Sequence, residues 1–182
     1  SDVRKQEKIK SPKPPFTTSS MQQDASARLN MRPATTMRVA QALYEGVEIK
    51  GMGLVGLITY MRTDSLRISA EASAAAETFI KSEYGNEYAP EKPVFYKTKA
   101  GAQDAHEAIR PTDVFLTPER IKDSLTSEQY RLYKLIWSRF TASRMSPAVY
   151  DVQTADITAG KYIFKGSDSV VRFKGFTCLY DD

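Results

Sequence analysis

The chain has 182 residues, 41% hydrophobic and 26% charged, a balance typical of a soluble globular protein with its own core. No apolar run approaches the roughly 20 residues that a membrane span needs, and a single cysteine and a single histidine exclude an internal disulfide framework and a zinc site. The formal net charge of +4 arises within residues 1–65, and this mild basic bias is compatible with nucleic acid as a partner.

The first predicted elements are an extended segment and two helices. Residues 1–15 are charged and rich in proline, which disfavours helix and also excludes a secretory signal. The stretch TTSSMQQDASARLN carries capping-box signals at Ser19 and Ser20, each with a glutamine three residues later, and Asn30 is a plausible helix end. A second helix opens near Pro33. Two short helices followed by a strand suggest a helix-turn-helix or winged-helix unit, although the spacing alone favours a generic helical hairpin.

A strand is predicted over VGLITYMRT, residues 55–63, because the stretch is rich in apolar and β-branched residues. In a strand, Ile58, Tyr60 and Arg62 share one face. A phenol beside a guanidinium could act as nucleophile and electrostatic clamp on a phosphodiester, which would give a phosphotyrosine intermediate. The spacing alone favours the simpler interpretation, an exposed tyrosine packed against an arginine on the surface.

Three further helices are predicted downstream. The first, in SAEASAAAETFIKSEYG, has Ser69 as its cap and Gly85 as its stop. The other two begin after Thr117 and Thr126, and the last ends before Pro147. A short strand is also expected in EYAPEKPVFYKTKAG, and QDAHEAIRPTD is expected to be a loop or a single turn. The last helix carries an aromatic stripe that either packs in the core or stacks on bases, namely Tyr130, Tyr133, Trp137 and Phe140.

After Pro147 the pattern alternates with a period of two, which predicts strands. Turns are predicted at Ala159-Gly160 and at residues 166–168. About 35 residues of strand cannot form an independent core. They are therefore expected to pair with a segment outside this sequence or with another chain, so a dimer or a domain swap is an open alternative.

Four segments resemble the type IA DNA topoisomerases. GLITYMRTDS, residues 56–65, resembles the active-site segment of that family, and AHEAIRPT, residues 105–112, resembles a second signature in the same domain. PPFTTSSMQQDAS and MRVAQALYEGVEI resemble the segments that precede the tyrosine. The four occur in the family's order, and Met61 is typical of the bacterial enzymes, where other relatives more often have proline.

The predicted fold is mainly α with short strands. Residues 1–15 are expected to be a linker or the end of a β arch domain, and residues 16–147 a helical, winged-helix-like domain that bears the tyrosine. Residues 148–182 are expected to be the first strands of a returning, incomplete β arch. The chain is then an internal fragment of a longer polypeptide.

The resemblance also implies roles for individual residues. Tyr60 would be the nucleophile that cleaves one DNA strand and stays joined to its 5′-phosphate. Arg62 would hold the scissile phosphate, and His106 would contact the phosphate region. Asp64 is expected to orient His106 or Arg62. Arg110 is a candidate phosphate contact, with pairing to a carboxylate an equally good alternative.

Magnesium is implied in the full-length enzyme, held by a glutamate and an Asp-x-Asp cluster that this sequence lacks. The fragment alone is therefore expected to bind no metal and to be inactive. Its expected partners are a single-stranded region of DNA and the remaining domains of the same polypeptide, in the cytoplasm and on the nucleoid, with no membrane. The implied activity is transient single-strand cleavage, strand passage and religation, which relaxes negative supercoils. The alternative is a non-catalytic winged-helix-like DNA-binding module.

Overall fold

The computed structural model describes residues 2–97 and 106–181. Five helices lie in this part of the chain: α1 (Thr18–Leu29), α2 (Pro33–Glu45), α3 (Ala70–Glu83), α4 (Pro118–Ile121) and α5 (Ser127–Ser143). Five strands form antiparallel pairs: β1 (Asp2–Lys10), β2 (Val47–Ile49), β3 (Gly53–Val55), β4 (Ala148–Ala159) and β5 (Tyr162–Phe173). The fold is thus mixed α and β, and the description as mainly α with short strands was too narrow.

The helix boundaries follow from local capping. Ser69 and Thr117 cap α3 and α4 as predicted, and Thr126 forms a reciprocal capping box with Gln129 at the start of α5. At α1 the cap is Thr17, paired with the Ser20 hydroxyl, so the prediction of Ser19 or Ser20 as the capping residue was wrong. Asn30 ends α1 in the left-handed conformation, with φ of 52°.

Most of the aromatic stripe of α5 packs into the core. Tyr133, Trp137 and Phe140 are buried. The Tyr133 hydroxyl donates to the carbonyl of Leu116, and the Trp137 indole N–H donates to that of Val114. Burial raises the pKa of the Tyr133 hydroxyl, which keeps it a hydrogen-bond donor. These three rings therefore stabilise the helical body and are not available as a stacking surface.

The three-stranded sheet has the order β1-β4-β5. β1 pairs antiparallel with β4, from Lys10 opposite Ala148 to Asp2 opposite Asp156. The strands after Pro147 thus find a partner inside this chain, and the expectation that they must pair outside it was wrong. The predicted turn at residues 166–168 was also wrong, because these residues lie inside β5 and pair with β4.

The strand predicted over residues 55–63 does not form. Regular strand ends at Val55, and beyond it only Ile58 makes an isolated bridge, to Pro111. Leu57 and Ile58 are both buried although they are consecutive, whereas Tyr60 is exposed, so the two-residue alternation fails. The cause is that this segment bonds to several different neighbours and not to one continuous strand.

Residues 93–97 are not strand. The rest of the strand predicted near them lies outside the described residues, as does the first part of the loop predicted over residues 103–113. Within the described ranges, no helix is long and apolar enough to cross a membrane.

Candidate DNA-cleavage site

The backbone around Tyr60 is held on one side by the start of α1. The Thr18 hydroxyl donates to the carbonyl of Met61 over 2.7 Å and accepts from the N–H of Thr63 over 2.9 Å. The N–H of Thr18 donates to the carbonyl of Thr63, also over 2.9 Å. Met61 itself is fully buried. The segment that carries the phenol is therefore irregular and yet fixed.

On its other side the segment is held by residues 108–111. The N–H of Thr59 donates to the carbonyl of Arg110 over 2.9 Å. The Thr59 hydroxyl donates to the carbonyl of Ala108 over 2.7 Å and accepts from the N–H of Arg110 over 3.0 Å. The two segments singled out in the sequence, one with Tyr60 and one with His106, thus lie side by side.

Four of the predicted site residues are on the surface. Tyr60 is 42% exposed, and Arg62, Asp64 and His106 are also exposed. Among the described residues, no hydrogen bond or ion pair joins Asp64 to Arg62 or to His106. The carboxylate thus does not hold either partner here, and its predicted orienting role stays a prediction.

Arg110 pairs with a carboxylate, that of Glu107, which is one of the two alternatives that the sequence left open. Its Nε and Nη2 atoms donate to the two oxygens of Glu107 over 3.2 and 2.8 Å, and Nη1 donates to the carbonyl of Pro111. Only 13% of the Arg110 side chain is exposed. The guanidinium therefore serves first to brace its own loop, and the contact with phosphate stays a prediction.

Glu107 connects this loop to α3. Its Oε1 atom accepts from the N–H of Ser69, the N-cap residue, over 2.7 Å. Burial disfavours the charged form, but the hydrogen bonds from Arg110 and Ser69 and the charges of Arg110 and Arg67 outweigh it, so the pKa of Glu107 is lowered. The spacing of Glu107 and Arg110 in one loop was the available signal, but the bond to Ser69 could not be read from the sequence.

A second tyrosine lies against the first. The ring of Tyr44, near the end of α2, meets the ring of Tyr60 edge to face, with 5.4 Å between centroids and 62° between planes. Tyr44 directly follows the buried Leu43 on α2, yet 41% of Tyr44 is exposed. Sequence reasoning therefore missed this neighbour of the candidate nucleophile.

The candidate site residues Tyr60, Arg62 and His106 all lie on the exposed surface. A groove of about 520 Å³ lies between α3 and residues 90–96, and its lining includes Arg67 but not Tyr60, Arg62 or His106. Within the described residues, no group of three or more His, Cys, Asp or Glu side chains could hold a metal ion. The described part of the chain thus offers an exposed phenol beside an exposed guanidinium, and no such group of metal ligands.

Comparison with known proteins gives two findings. A family model described as DNA topoisomerase matches residues 1–182. Among solved structures, full-length topoisomerase I from Thermotoga maritima is 41% identical in sequence, with a TM-score of 0.87. The match covers 98% of this chain and 28% of that one, so the chain spans less than a third of the length of the Thermotoga protein.

Proposed function

The chain belongs to the bacterial type IA DNA topoisomerases, and from this we propose that it is the part of such an enzyme that bears the nucleophile for DNA cleavage. In the full-length enzyme, one DNA strand is cut, another is passed through the break, and the cut strand is rejoined, which relaxes negative supercoils. The observation that carries the proposal is an exposed phenol, that of Tyr60, on a segment anchored from both sides.

The cleavage step exchanges one phosphate ester for another. The Tyr60 oxygen attacks the phosphorus, and a bond from this oxygen to phosphorus forms while the bond from phosphorus to the 3′ oxygen breaks. The proton lost by the phenol is balanced by the proton that the 3′ hydroxyl gains. Because the phosphotyrosine conserves the ester, the reverse reaction rejoins the strand without an external energy source.

The neighbouring side chains have assigned roles in this proposal. Arg62 holds the non-bridging oxygens of the scissile phosphate and offsets charge as it develops. His106 contacts the same phosphate region, and the pairing of Thr59 with Ala108 and Arg110 in the segment that follows His106 supports this role. Asp64 orients one of these two residues once DNA is bound, and Arg110 adds a weaker phosphate contact.

Other requirements of the enzyme lie outside this chain. We place magnesium in an acidic domain elsewhere in the polypeptide, since the described residues do not fit a metal site. That domain and the remaining domains are the partners of this chain, together with a single-stranded region of DNA. The cellular location is the cytoplasm, on the nucleoid. Without that domain, the 182 residues alone relax no DNA. Any dimer or domain swap of the isolated chain would be a property of the fragment and not of the full-length enzyme.

The test is Tyr60→Phe in the full-length enzyme. A single-stranded oligonucleotide labelled at its 3′ end is mixed with enzyme, denatured and resolved by gel electrophoresis. Because Tyr60 joins the 5′-phosphate of the fragment that carries this label, covalent adducts run as shifted bands. Loss of the phenol oxygen removes the nucleophile, and we expect no adduct, with DNA affinity changed by less than about twofold. Tyr162→Phe, an exposed tyrosine on β5, is the matched control and should form adduct normally.

Adduct formation by the Tyr60→Phe enzyme would assign the chemistry to another residue. The alternative function, a non-catalytic winged-helix-like DNA-binding module, predicts DNA binding without any adduct from the unmodified enzyme. Nothing in the fold favours this alternative over the enzyme.

A further inference from the structure

The residues that separate Tyr44 from Tyr60 fix where the two rings meet. The N–H of Leu57 donates to the carbonyl of Leu43 over 2.8 Å, which docks the end of α2 on the segment that leads to Tyr60. At Gly56 the two backbones are so close that an added Cβ would lie 3.0 Å from the carbonyl oxygen of Tyr44. The position of Tyr44 relative to Tyr60 is thus set by backbone contacts.

The rings of Tyr44 and Tyr60 pack against each other on the solvent-exposed side of these backbone contacts. Both tyrosines are about 40% exposed, at 41% for Tyr44 and 42% for Tyr60, and each covers part of the other. Among the described residues, neither hydroxyl has a hydrogen-bond partner, so the contact between them is one of ring packing. An edge-to-face pair is the geometry that the ring quadrupoles favour.

We propose that Tyr44 is a positioning residue for Tyr60, which restricts the Tyr60 ring to the rotamer that presents its oxygen to the scissile phosphate. This inference rests on the proposed function of Tyr60 as nucleophile. An exposed tyrosine with no neighbour samples several side-chain rotamers. Restricting them in advance shortens the search for the reactive geometry, and misplacement by about 1 Å can cost up to ~10²-fold in rate.

The test uses three variants of the full-length enzyme: Tyr44→Leu, Tyr44→Phe and, as matched control, Tyr162→Leu. Single-turnover cleavage of a labelled oligonucleotide at saturating DNA measures the chemical step, and fluorescence anisotropy measures DNA affinity. We expect Tyr44→Leu to slow cleavage about tenfold with affinity and melting temperature unchanged. Tyr44→Phe keeps the ring and should restore the rate to within about twofold of the unmodified enzyme.

A second readout does not depend on cleavage. 3-Fluorotyrosine placed at position 60 of the full-length protein reports the ring environment by ¹⁹F NMR. Loss of the Tyr44 ring should shift and narrow this signal in Tyr44→Leu, because the ring current is removed and the rotamers average, whereas Tyr44→Phe should leave it near its original position. An unchanged signal in Tyr44→Leu would show that Tyr44 does not restrict the Tyr60 ring, and it would overturn the inference whatever the cleavage assay shows.

The outcomes separate the two proposals. If Tyr60→Phe abolishes the adduct but Tyr44→Leu cleaves at the normal rate, Tyr60 is the nucleophile and Tyr44 does not position it. If Tyr44→Leu only weakens DNA affinity, Tyr44 is a contact for the nucleic acid and the inference is wrong. Equal slowing by Tyr44→Phe and Tyr44→Leu would also overturn it, since that result would depend on the hydroxyl and not on the ring.

Discussion

The carboxylate of Glu107 shows how much one residue can organise around the candidate site. It joins the cap of α3, through the N–H of Ser69, to the guanidinium of Arg110. The N–H of Arg110 in turn reaches the hydroxyl of Thr59, next to Tyr60. A chain of three hydrogen-bonded contacts therefore runs from a helix cap to the segment that carries Tyr60, and the carboxylate of Glu107 takes part in two of them.

Glu107→Gln should destabilise the chain in a pH-dependent way. Because the pKa of Glu107 is lowered in the folded state, its ionised form contributes stability above the ordinary glutamate value of 4.5. This contribution is lost as pH falls through the lowered value, since the unfolded state takes up its proton first. Denaturation at pH 7 should show a loss of about 0.5–1 kcal/mol, and the difference should shrink on acidification.

The control for this prediction is Glu77→Gln, which removes one partner of an exposed helical pair with Lys81. It should cost less than about 0.5 kcal/mol. A difference between unmodified protein and Glu107→Gln that stays constant from neutral to acidic pH would contradict the role given to the charge.

At the scale of elements, the passage from helices to sheet depends on one close backbone approach. Gly175, just after β5, has φ of +51°, and an added Cβ would lie 2.4 Å from the carbonyl oxygen of Pro147 and 2.5 Å from that of Ser146. The N–H of Phe176 donates to the same Ser146 carbonyl over 3.0 Å. The end of the sheet is thus pressed directly onto the junction between α5 and β4.

Gly175→Ala should be strongly destabilising, because the colliding atoms are backbone and cannot rotate away. Gly160→Ala is the matched control, with φ of +61° and no atom within 4 Å of its added Cβ. It should cost only the strain of the left-handed conformation, about 1–2 kcal/mol. Gly175→Ala should cost at least about 2 kcal/mol more in the free energy of unfolding. Equal losses for the two variants would show that the junction relaxes freely.

How far the sequence predicts these elements depends on how local their causes are. Caps such as Ser69 and Thr126 act within three residues, so they were predicted correctly. The strand predicted over residues 55–63 failed because Thr59 and Met61 bond to residues 49 and 43 positions away in the sequence. The ring contact of Tyr44 with Tyr60 likewise depends on how the end of α2 docks, which no spacing rule contains.

At the scale of the whole molecule, Arg139 ties the helices to both ends of the sheet. Its side chain is buried in α5 and donates to the carbonyl of Pro14, between β1 and α1, over 2.6 Å. The same guanidinium donates to Asp24 in α1 and to the hydroxyl of Tyr180, beyond β5. The predicted division into linker, helical domain and β segment is thus crossed by one network of bonds.

Removing that guanidinium should loosen the sheet from the helices. Arg139→Met leaves Asp24 partly buried with its charge less well compensated, and we expect a loss of about 2–4 kcal/mol in the free energy of unfolding. Arg139→Lys should not restore the lost stability, because a single ammonium cannot reach three acceptors in fixed directions.

Tyr180→Phe should cost about 1 kcal/mol in the free energy of unfolding. The double variant Arg139→Met/Tyr180→Phe should cost less than the sum of the two single variants, since the two residues share a contact. In Arg139→Met, hydrogen exchange should quicken at residues 176–180 before α3 is affected.

The control is Arg38→Met, which breaks only an exposed pair with Glu128 and should change the free energy of unfolding by less than about 1 kcal/mol. If Arg139→Met cost no more than this control, the helices and the sheet would be held together by apolar packing alone.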